Sequence, residues 1–437
     1  MSYTNTSYKP TKDDLVCLFR IEPAKGLSIK KVSESIAAES SIGTWTDIST
    51  MSPEIRDTLQ PHVFEFFDAT DNSPMPDINS QKPAKVKIAY PSALFEEGNM
   101  PCILSSIAGN IFGMKDVARL RLLDISFPKS LVKSFRGPQF GIAGVRKITG
   151  VKDRPLVGTI IKPKLGLPSK EHARVAYEAW VGGLDIVKDD ENLTSQKFNP
   201  FKERIAKTLK MCDKAEAETG ETKIYMPNVT AETSEMLKRA ELVKESGGRY
   251  VMVDIVTCGF SGLQSLREKT QELGLAVHAH RAMYAAFARD KTHGMTMLAL
   301  AKIMRLIGAD QLHTGTVIGK MEGDQKLVTS IRDEIVKDSV AENFETDMLA
   351  QDWYGLKTVF PVSSGGLHPG HVPELVRMLG RDLIIQAGGG VHGHPGGTTL
   401  GAKAMRQAVD AAMGGVALGE YAKTHEELKK ALGKWPL

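Results

Sequence analysis

The chain has 437 residues, of which 42% are hydrophobic and 25% are charged, values typical of a folded globular protein. This composition excludes disordered, collagen-like and coiled-coil proteins, and the length allows two or three compact units or one large barrel with a smaller domain. The formal net charge of +4 is too small at this size to indicate a nucleic-acid or membrane-surface binder.

Cysteine usage and the N-terminal segment bear on location. The 4 cysteines are far apart and form no CxxC or Cys/His cluster, which is typical of reduced thiols rather than of disulfides or a zinc site. The N-terminus has neither a basic start nor an apolar core, and no apolar run approaches the length of a membrane helix. We therefore expect a cytoplasmic protein that binds neither nucleic acid nor membranes.

In chain order, the first part of the sequence predicts a small α+β domain. Strand-like patterns cover residues 15–21 and 84–89, and a helical pattern covers residues 29–39. Residues 74–83 have the composition of a loop. Residues 136–155 are rich in Gly and Lys and are predicted to link this domain to the rest of the chain.

From about residue 150 onward, short β-rich apolar runs alternate with longer amphipathic stretches. Strands are predicted at residues 156–163, 184–189, 223–228, 250–256, 275–280, 311–316, 358–364 and 383–389. Strand–helix units in this number predict a parallel (β/α)8 TIM barrel, with an open doubly wound sheet as the alternative. We therefore place an N-terminal α+β domain at residues 1–135 and a barrel domain with C-terminal helices at residues 136–437.

In a barrel of this type, the reacting groups gather at the C-terminal ends of the strands. Most of the predicted strands end in polar or glycine-rich sequences, namely KPK (162–164), KDDEN (188–192), Asn228, HAHR (278–281), His313, SSGG (363–366) and QAGGG (386–390). This convergence predicts a functional site at one end of the barrel.

The KDDEN sequence predicts a metal site. Lys188 and Asp190 lie on one side of an extended chain because side chains alternate, and Glu191 follows at the turn. Two carboxylates would form the oxygen site that Mg²⁺ prefers. A lysine ammonium would repel the metal unless the amine reacted with CO₂, because the resulting carbamate would be a third anionic oxygen ligand. The alternative is a charged turn in which Asp or Asn caps the next helix.

The KPK sequence carries two amines. Lys162 is a candidate general acid and base with a pKa lowered by burial, and Lys164 is a candidate for holding an anionic substrate. The alternative is a pair of solvated amines at a strand end.

The last two strands end in turns that favour phosphate binding. Glycine lets backbone N–H groups approach phosphate oxygens, and phosphate sites after strands seven and eight recur in barrels. Arg281 would suit a second phosphate through its planar guanidinium, so two anion sites flanking a metal imply a bisphosphate. The alternative is that these glycines only make turns.

Histidines and a loop complete the candidate site. His278, His280 and His313 could each be an ordinary core histidine, but three at neighbouring strand ends indicate a site. The sequence TGTVIGKMEG at residues 314–323 has glycines on both sides of Lys320, which predicts a hinged lid or, alternatively, a plain flexible loop.

The motifs GTIIKPKLGL, GGLDIVKDDEN, HAHRAM, HTGTVIGKMEG, SSGG and QAGGG together resemble the large subunit of ribulose-1,5-bisphosphate carboxylase/oxygenase, RuBisCO. AAESSIGTWT (37–46) and SIAGNIFG (106–113) are similar to the family's N-terminal motifs, so the resemblance spans nearly the whole chain. It implies carboxylation of D-ribulose 1,5-bisphosphate by CO₂ and water to two 3-phosphoglycerate through a Mg²⁺-bound enediolate. It also implies competing oxygenation by O₂ to 3-phosphoglycerate and 2-phosphoglycolate.

The resemblance implies residue roles. Lys188 would be carbamylated and would bind Mg²⁺ with Asp190 and Glu191. Lys162 would be the acid and base of enolisation and final protonation, and His280 would be a base later in the cycle. Lys320 on the lid would stabilise the incoming CO₂, paired with Glu39. Substrate-binding residues would be Lys164, Arg281, His313, Ser364, Gly365, Gly366, Gln386, Gly388, Gly389, Asn110, Thr44 and Trp45.

The resemblance also implies an assembly. Glu39, Thr44, Trp45 and Asn110 would reach the barrel mouth of a partner subunit, so the working unit would be a homodimer or a ring of dimers. The chain is short and has no long tail after Trp435, which is more similar to archaeal form III or II/III enzymes than to the plant type and implies that no small subunit is needed. Nucleotide (AMP) salvage and a phosphoribulokinase route both remain possible sources of the substrate.

Two positions depart from the family's pattern. Tyr284 stands where histidine is usual, and Ile160 stands where threonine is frequent, with Thr159 adjacent. These departures bear on rate and on the preference between CO₂ and O₂, not on the class of reaction.

Two other functions compete with carboxylation. A RuBisCO-like enolase or isomerase of sulfur salvage would share the metal site and stop before carboxylation, but Lys162, His280, His313, Lys320 and Glu39 are all present. A non-catalytic sugar-phosphate binding protein on a barrel frame is the second alternative.

Overall fold

The computed structural model describes residues 2–44, 46, 48–316, 318 and 325–436. Its strands are β1 (Asp14–Pro23), β2 (His62–Asp68), β3 (Ala84–Pro91), β4 (Val117–Ser126), β5 (Leu156–Ile160), β6 (Ile186–Lys188), β7 (Ile224–Met226), β8 (Tyr250–Asp254), β9 (Ala276–His280), β10 (Gly294–Met295), β11 (Gln311–His313), β12 (Ser339–Val340), β13 (Gln351–Asp352), β14 (Phe360–Ser364) and β15 (Ile384–Gln386).

The α-helices of the described residues are α1 (Ile29–Glu39), α2 (Pro53–Leu59), α3 (Met100–Ile107), α4 (Lys129–Ser134), α5 (Gly141–Thr149), α6 (Ser169–Val181), α7 (Phe201–Thr219), α8 (Thr233–Glu245), α9 (Phe260–Leu273), α10 (Ala285–Ala288), α11 (Met297–Ile307), α12 (Gln325–Val336), α13 (Val372–Leu379), α14 (Gly389–His392), α15 (Thr398–Met413), α16 (Leu418–Tyr421) and α17 (Glu426–Lys434). Among them, none is both long and apolar enough to span a bilayer.

Contacts within the chain define two compact units. Unit 1 contains Met1–Arg136, Met283–Ile307 and Lys337–Leu356. Unit 2 contains Gly137–Ala282, Gly308–Val336 and Lys357–Leu437.

Unit 1 is built on a five-stranded sheet with the order β10-β4-β1-β3-β2. β1 pairs antiparallel with β3 and β4, and β10 joins the edge parallel to β4. The predicted N-terminal strands lie within β1 and β3, the predicted helix is α1, and the predicted α+β domain is confirmed. Helix α11 is buried along its whole length, and the buried Lys302 Nζ donates to Asp124 Oδ2 on β4 at 2.7 Å.

Unit 2 is a closed parallel barrel with the strand order β7-β6-β5-β15-β14-β11-β9-β8. Just beyond the end of β7, Asn228 pairs with Met252 of β8. The Met252 N–H donates to the Pro227 carbonyl at 2.8 Å, and the Val229 N–H donates to the Met252 carbonyl at 3.0 Å. This pairing closes the ring, so the predicted TIM barrel is confirmed and the open doubly wound sheet is excluded.

The predicted barrel strands are present but shorter than predicted. The second predicted strand, 184–189, is the strand Ile186–Lys188, and the sixth, 311–316, is Gln311–His313. Helices end at glycines as predicted, for example at Gly274, whose φ of 64° is left-handed and favours glycine over other residues. The apolar runs extend beyond the strands because flanking residues such as Leu184 and Leu383 are buried as well.

The predicted link at residues 136–155 contains helix α5, which is a correction. Ile142 and Val145 of this helix belong to the same buried cluster as residues of the barrel strands, including Leu156, Tyr250 and Phe360. Its apolar side therefore covers one end of the barrel core, although its glycines and basic residues gave it the composition of a loop.

Candidate active site

The end of β5 carries two lysines that contact the end of β6. Lys162 Nζ donates to Asp190 Oδ2 at 2.9 Å, and Lys164 Nζ lies 3.4 Å from Glu191 Oε1. Lys162 is half-buried, with 29% of its side chain exposed, whereas Lys164 is exposed. The structure thus brings together four of the predicted site residues.

Lys188 ends β6 with a fully buried side chain. Its Nζ donates to the Asp189 carbonyl at 2.7 Å and lies 3.4 Å from Met252 Sδ. Burial lowers the pKa of Lys188, although the carboxylates of Glu191, Asp254, Asp190 and Asp189 act in the opposite direction. A lowered pKa raises the fraction of the neutral amine, which is the nucleophilic form.

The carboxylates of Asp190 and Glu191 stay ionised. Burial by itself would raise the pKa of Asp190, but the hydrogen bond and charge of Lys162 bring it below its ordinary value. Burial likewise opposes ionisation of Glu191, and the charges of His280 and Lys188 lower its pKa overall. The loop backbone is held by Asn228, whose side chain donates to the Glu191 carbonyl at 3.1 Å.

Asp189 has a separate role that the sequence did not reveal. Its fully buried carboxylate accepts hydrogen bonds from Arg204 Nε at 3.1 Å, Tyr225 Oη at 2.8 Å and the Asn228 N–H at 3.0 Å. Because side chains alternate along a strand, Asp189 faces away from Lys188 and Asp190 and anchors the turn. The alternation of side chains along a strand could have predicted that Asp189 and Asp190 face opposite sides.

His280 ends β9 and is oriented by Asp254, a residue missed at the sequence level. His280 Nδ1 lies 2.7 Å from Asp254 Oδ1, and its Nε2 lies 3.8 Å from Glu191 Oε2. An ionised Asp254 accepts the Nδ1 proton, which leaves Nε2 free to accept a proton in the site. The signal was available in the sequence, since Asp254 is an acidic residue at the end of a barrel strand, β8.

A buried relay of hydrogen bonds runs from Gln311 to Ser364. Gln311 Oε1 lies 2.7 Å from His278 Nδ1, His278 Nε2 lies 2.8 Å from His313 Nε2, and His313 Nδ1 lies 2.8 Å from Ser364 Oγ. Burial lowers the pKa of both histidines well below the ordinary value. His278 therefore positions His313 from inside the barrel, and Gln311 was missed because it is not at a strand end.

Two glycine-rich turns follow the last two strands. The first glycine turn (residues 363–371) contains Gly365 and Gly366, with φ of 118° and 73°, which non-glycine residues rarely adopt. In the second glycine turn (residues 387–393), a Cβ on Gly388 would lie 2.9 Å from Lys162 Cε. These glycines leave backbone exposed next to the lysine, as a phosphate site requires.

Two further predicted residues lie beside this region. Both polar atoms of the buried Gln386 side chain, at the end of β15, lack a hydrogen-bond partner among the described residues. Arg281 follows His280, and a Cβ on Gly315 would lie 3.1 Å from its guanidinium. The side chain of Arg281 therefore lies against the start of the predicted lid.

The remaining predicted residues belong to unit 1 or lie outside the described residues. Glu39, Thr44 and Asn110 lie in unit 1, where Glu39 is the last residue of α1 and Asn110 is exposed. Trp45 and Lys320 lie outside the described residues, together with most of the predicted lid.

The sequence matches two known protein families over most of its length. Residues 2–131 match the family described as ribulose bisphosphate carboxylase large chain, N-terminal domain, and residues 141–435 match the corresponding catalytic domain. The chain belongs to the RuBisCO large-chain family. The resemblance stated from the motifs is thereby confirmed.

RuBisCO relatives of archaeal origin are similar over the whole chain. The ribulose bisphosphate carboxylase of Methanocaldococcus jannaschii is 56% identical, with 100% of both chains covered. The dimeric archaeal RuBisCO of Hyperthermus butylicus has a TM-score of 0.92 and 47% identity over 99% of this chain and 98% of that chain. The octameric RuBisCO of Pyrococcus horikoshii has a TM-score of 0.89 and 48% identity over 99% of this chain and 96% of that chain. These relatives confirm the archaeal type.

The residues present fit the Mg²⁺ and the lysine carbamate that the RuBisCO family implies. Asp190 and Glu191 supply ionised oxygens, the ligand type that Mg²⁺ prefers. Within the described part of the chain, no three His, Cys, Asp or Glu side chains are grouped as a metal site. A carbamate on the buried Lys188 amine would add the missing oxygen ligand beside the two carboxylates.

Proposed function

We propose that this protein carboxylates ribulose 1,5-bisphosphate with CO₂ and water to two molecules of 3-phosphoglycerate. The observation that carries the proposal is the buried Lys188 amine beside Asp190 and Glu191, at the barrel end that also holds Lys162 and His280. The family and its archaeal relatives, which are named ribulose bisphosphate carboxylase, support the same reaction.

Activation begins at Lys188. The neutral amine attacks the carbon of CO₂ and forms a C–N bond, while one C=O π bond opens to a carboxylate. One proton leaves the nitrogen for solvent, so that the lysine becomes an anionic carbamate. Lys188 as carbamate, Asp190 and Glu191 would hold Mg²⁺. When bound, the metal would stabilise the negative charge that develops on the substrate oxygens.

Lys162 and His280 move protons. Lys162, held against Asp190, serves as acid and base in enolisation and delivers a proton to the C2 carbanion left when the C2–C3 bond breaks. His280 takes a proton later in the cycle through Nε2, because Asp254 occupies Nδ1. The half-burial of Lys162 leaves its Nζ accessible to substrate.

Substrate phosphates are held at two places. Ser364, Gly365, Gly366, Gly388 and Gly389 form the site at the two glycine turns, where backbone N–H groups are accessible. Arg281 and His313 contribute to the second anion site. The side-chain amide of Gln386, which is unpaired among the described residues, is available to hydrogen-bond the bound sugar. Lys164, which is exposed beyond the end of β5, holds the anionic substrate.

O₂ competes with CO₂ for the same enediolate, so we propose that the protein also forms 2-phosphoglycolate and 3-phosphoglycerate. Neither gas offers a strong polar group by which the site could hold it. The positions Tyr284 and Ile160 bear on the ratio of the two reactions.

The working unit is a homodimer or a ring of dimers without a small subunit. Glu39, Thr44, Trp45 and Asn110 complete the site of the partner subunit, and Lys320 closes over it with Glu39. Support comes from relatives of both kinds, one described as dimeric and another as octameric. We place the enzyme in the cytoplasm, with its substrate supplied by nucleotide salvage or by a phosphoribulokinase.

The test is incorporation of ¹⁴CO₂ into acid-stable product with ribulose bisphosphate, before and after incubation with bicarbonate and Mg²⁺. Activity should rise with this incubation, and Lys188→Ala should abolish it because no carbamate can form. Lys223→Met is the matched control, since Lys223 is equally buried but bonds to the Leu184 carbonyl and Glu221.

If the pure, activated protein incorporated no ¹⁴C into acid-stable product, this result would contradict carboxylation. Enolisation without label incorporation would instead favour the enolase or isomerase alternative, and bisphosphate binding that ignores Mg²⁺ and CO₂ would favour the non-catalytic one.

A further inference from the structure

The two glycine turns are locked against each other by backbone contact. A Cβ on Gly390 of the second glycine turn would lie 2.2 Å from the Leu367 carbonyl oxygen and 2.8 Å from His368 Cα of the first. Only glycine permits this approach. A displacement of one turn therefore displaces the other.

Trp435, near the end of the sequence, contacts both turns. Its ring stacks on His368 of the first glycine turn, with ring centroids 5.8 Å apart and planes 17° from parallel. Its Cζ2 would lie 3.4 Å from a Cβ on Gly393, the last residue of the second glycine turn. The neighbouring Lys434 Nζ donates to the Gly393 carbonyl at 2.6 Å.

The ring on which Trp435 stacks is itself held in place. His368 Nδ1 accepts the Gly370 N–H at 3.2 Å, and His371 Nδ1 accepts the His368 N–H at 3.3 Å, with the two imidazole centroids 3.7 Å apart. Burial lowers the pKa of His368 to about 4, so the ring is uncharged at neutral pH. The His368 ring thus contacts two others: Trp435 stacks on it, and His371 lies against it with the ring planes tilted by 40°.

Helix α17, which ends just before Trp435, is anchored to the barrel. Leu428 and Ala431 are buried, the Leu428 N–H donates to Gln407 Oε1 at 3.0 Å, and Gln407 Nε2 donates to Glu427 Oε2 at 2.8 Å. His394, directly after the second glycine turn, lies 3.0 Å from the Glu427 carbonyl through Nε2. The helix therefore gives Trp435 a fixed support.

We propose that Trp435 is a positioning residue for phosphate binding, which holds the first and second glycine turns in one arrangement from behind the site. The inference rests on the proposed function for the nature of the ligand. Trp435 does not touch substrate. It fixes the turns whose backbone N–H groups meet the phosphate, so that less ordering is required when substrate binds.

The decisive variants are Trp435→Ala, Trp435→Leu and Trp435→Phe, with Lys429→Ala as the control. Lys429 lies on α17 with an exposed side chain, and its ion-pair partner among the described residues is Glu426. In the activated full-length protein, loss of the stack should raise the KM for ribulose bisphosphate by roughly 3- to 10-fold and change kcat by less than about twofold. Trp435→Phe should restore most of the affinity, and Lys429→Ala should leave both constants unchanged.

Hydrogen exchange provides a second measurement that uses no substrate. Amides of both glycine turns should exchange faster in Trp435→Ala and Trp435→Leu than in the unaltered protein, while those of β8 should not change. Trp435→Leu keeps an apolar side chain without a stacking ring, so it decides the question if the alanine variant unfolds.

Equal KM values and equal exchange in the Trp435→Leu and unaltered proteins would overturn the proposal. A fall in kcat alone, or faster exchange across the whole barrel, would also overturn it, since either result indicates a general structural role. If the unaltered protein neither binds nor converts ribulose bisphosphate, the proposed function fails, and the exchange comparison still decides whether Trp435 holds the turns.

Discussion

Two adjacent acidic residues that follow β6, Asp189 and Asp190, have side chains in different surroundings. Asp189 is fully buried and held by Arg204, Tyr225 and the backbone of Asn228, whereas Asp190 faces the site and binds Lys162. The charge of Arg204 helps to hold the pKa of Asp189 far below its ordinary value against the effect of burial. Asp189 therefore stabilises the fold, whereas the next residue, Asp190, belongs to the candidate site.

We expect substitutions at these two positions to separate stability from activity. Asp189→Asn should lower the free energy of unfolding by about 3–5 kcal/mol, because the buried Arg204 loses its counter-charge. Asp190→Asn should change it by less than about 1 kcal/mol, because Lys162 remains partly hydrated, but should abolish carboxylation. Denaturant unfolding and the ¹⁴CO₂ assay measure the two effects, and the same pattern in both variants would contradict the division.

His392 predicts a pH dependence of stability. Burial lowers its pKa to about 4, and its ring nitrogens lie 3.0 Å from Thr159 Oγ1 and 3.1 Å from Thr398 Oγ1. Above the unfolded pKa of about 6.5 the residue is neutral in both states, and between there and about 4 only the unfolded state binds the proton. Stability contributed by neutral His392 is therefore lost as the pH falls through this window.

Replacement of His392 should flatten that dependence. His392→Gln keeps a hydrogen-bonding side chain but cannot titrate, so its Tm should fall less steeply than that of the unaltered protein between pH 6.5 and about 4. His293→Gln, at an exposed histidine of unit 1, is the control. Identical slopes for the unaltered protein and His392→Gln would show that another group governs the acid limb.

At the scale of elements, the periodicity of apolar residues predicts those helices and strands whose formation depends on local pairing and burial. All of the barrel strands were predicted, and the pattern at residues 29–39 coincides with helix α1. Strands β2 and β4 were missed because their apolar residues are interrupted by charged ones, as in RLRLLD and FEFFD. Helix α5 was missed because its apolar positions become significant only when the barrel core is present.

The candidate site was predictable where chemistry lies at a strand end and less so elsewhere. Lys162, Lys188, Asp190 and His280 follow from the rule that strand ends converge. Gln311 lies at the start of β11 and reaches His278 only through pairing of adjacent strands. Such support contacts depend on register across the barrel, which no local pattern contains.

Helix α5 should contribute to stability and not to catalysis. Val145→Ala removes two fully buried methyl groups from the barrel core and should lower the free energy of unfolding by on the order of 2 kcal/mol. Lys147→Ala, on the exposed side of the same helix, is the control. Denaturant unfolding measures the loss, and an unchanged midpoint would show that α5 is not part of the core.

At the scale of the whole molecule, the division into units does not follow a single point in the sequence. Met283–Ile307 and Lys337–Leu356 come from the later part of the chain but belong to unit 1 with the N-terminal sheet. Strand β10 pairs with β4, and Lys302 binds Asp124. Contacts of this sequence separation cannot be derived from local patterns.

The proposed sharing of sites between subunits predicts complementation. Glu39→Gln and Lys188→Ala should each be inactive, because one lacks the lid partner and the other lacks the carbamate. Co-expressed subunits should recover about a quarter of the unaltered activity, since half of randomly formed dimers are mixed and each mixed dimer has one intact site. Activity of the co-expressed mixture measures this, purified mixed dimers should have about half of the unaltered activity, and no recovery would mean that each subunit supplies its own Glu39.

The segments that unit 1 takes from the later part of the chain have a consequence for biosynthesis. The N-terminal sheet leaves the ribosome early, yet its edge strand β10, helix α11 and the hairpin of β12 and β13 are translated only after most of the barrel strands. At roughly 5–20 residues per second, apolar sheet surface waits on the order of tens of seconds for its cover. The N-terminal sheet of unit 1 is therefore synthesised first but completes its folding late, and a chaperone that binds nascent chains would bind its exposed apolar surface.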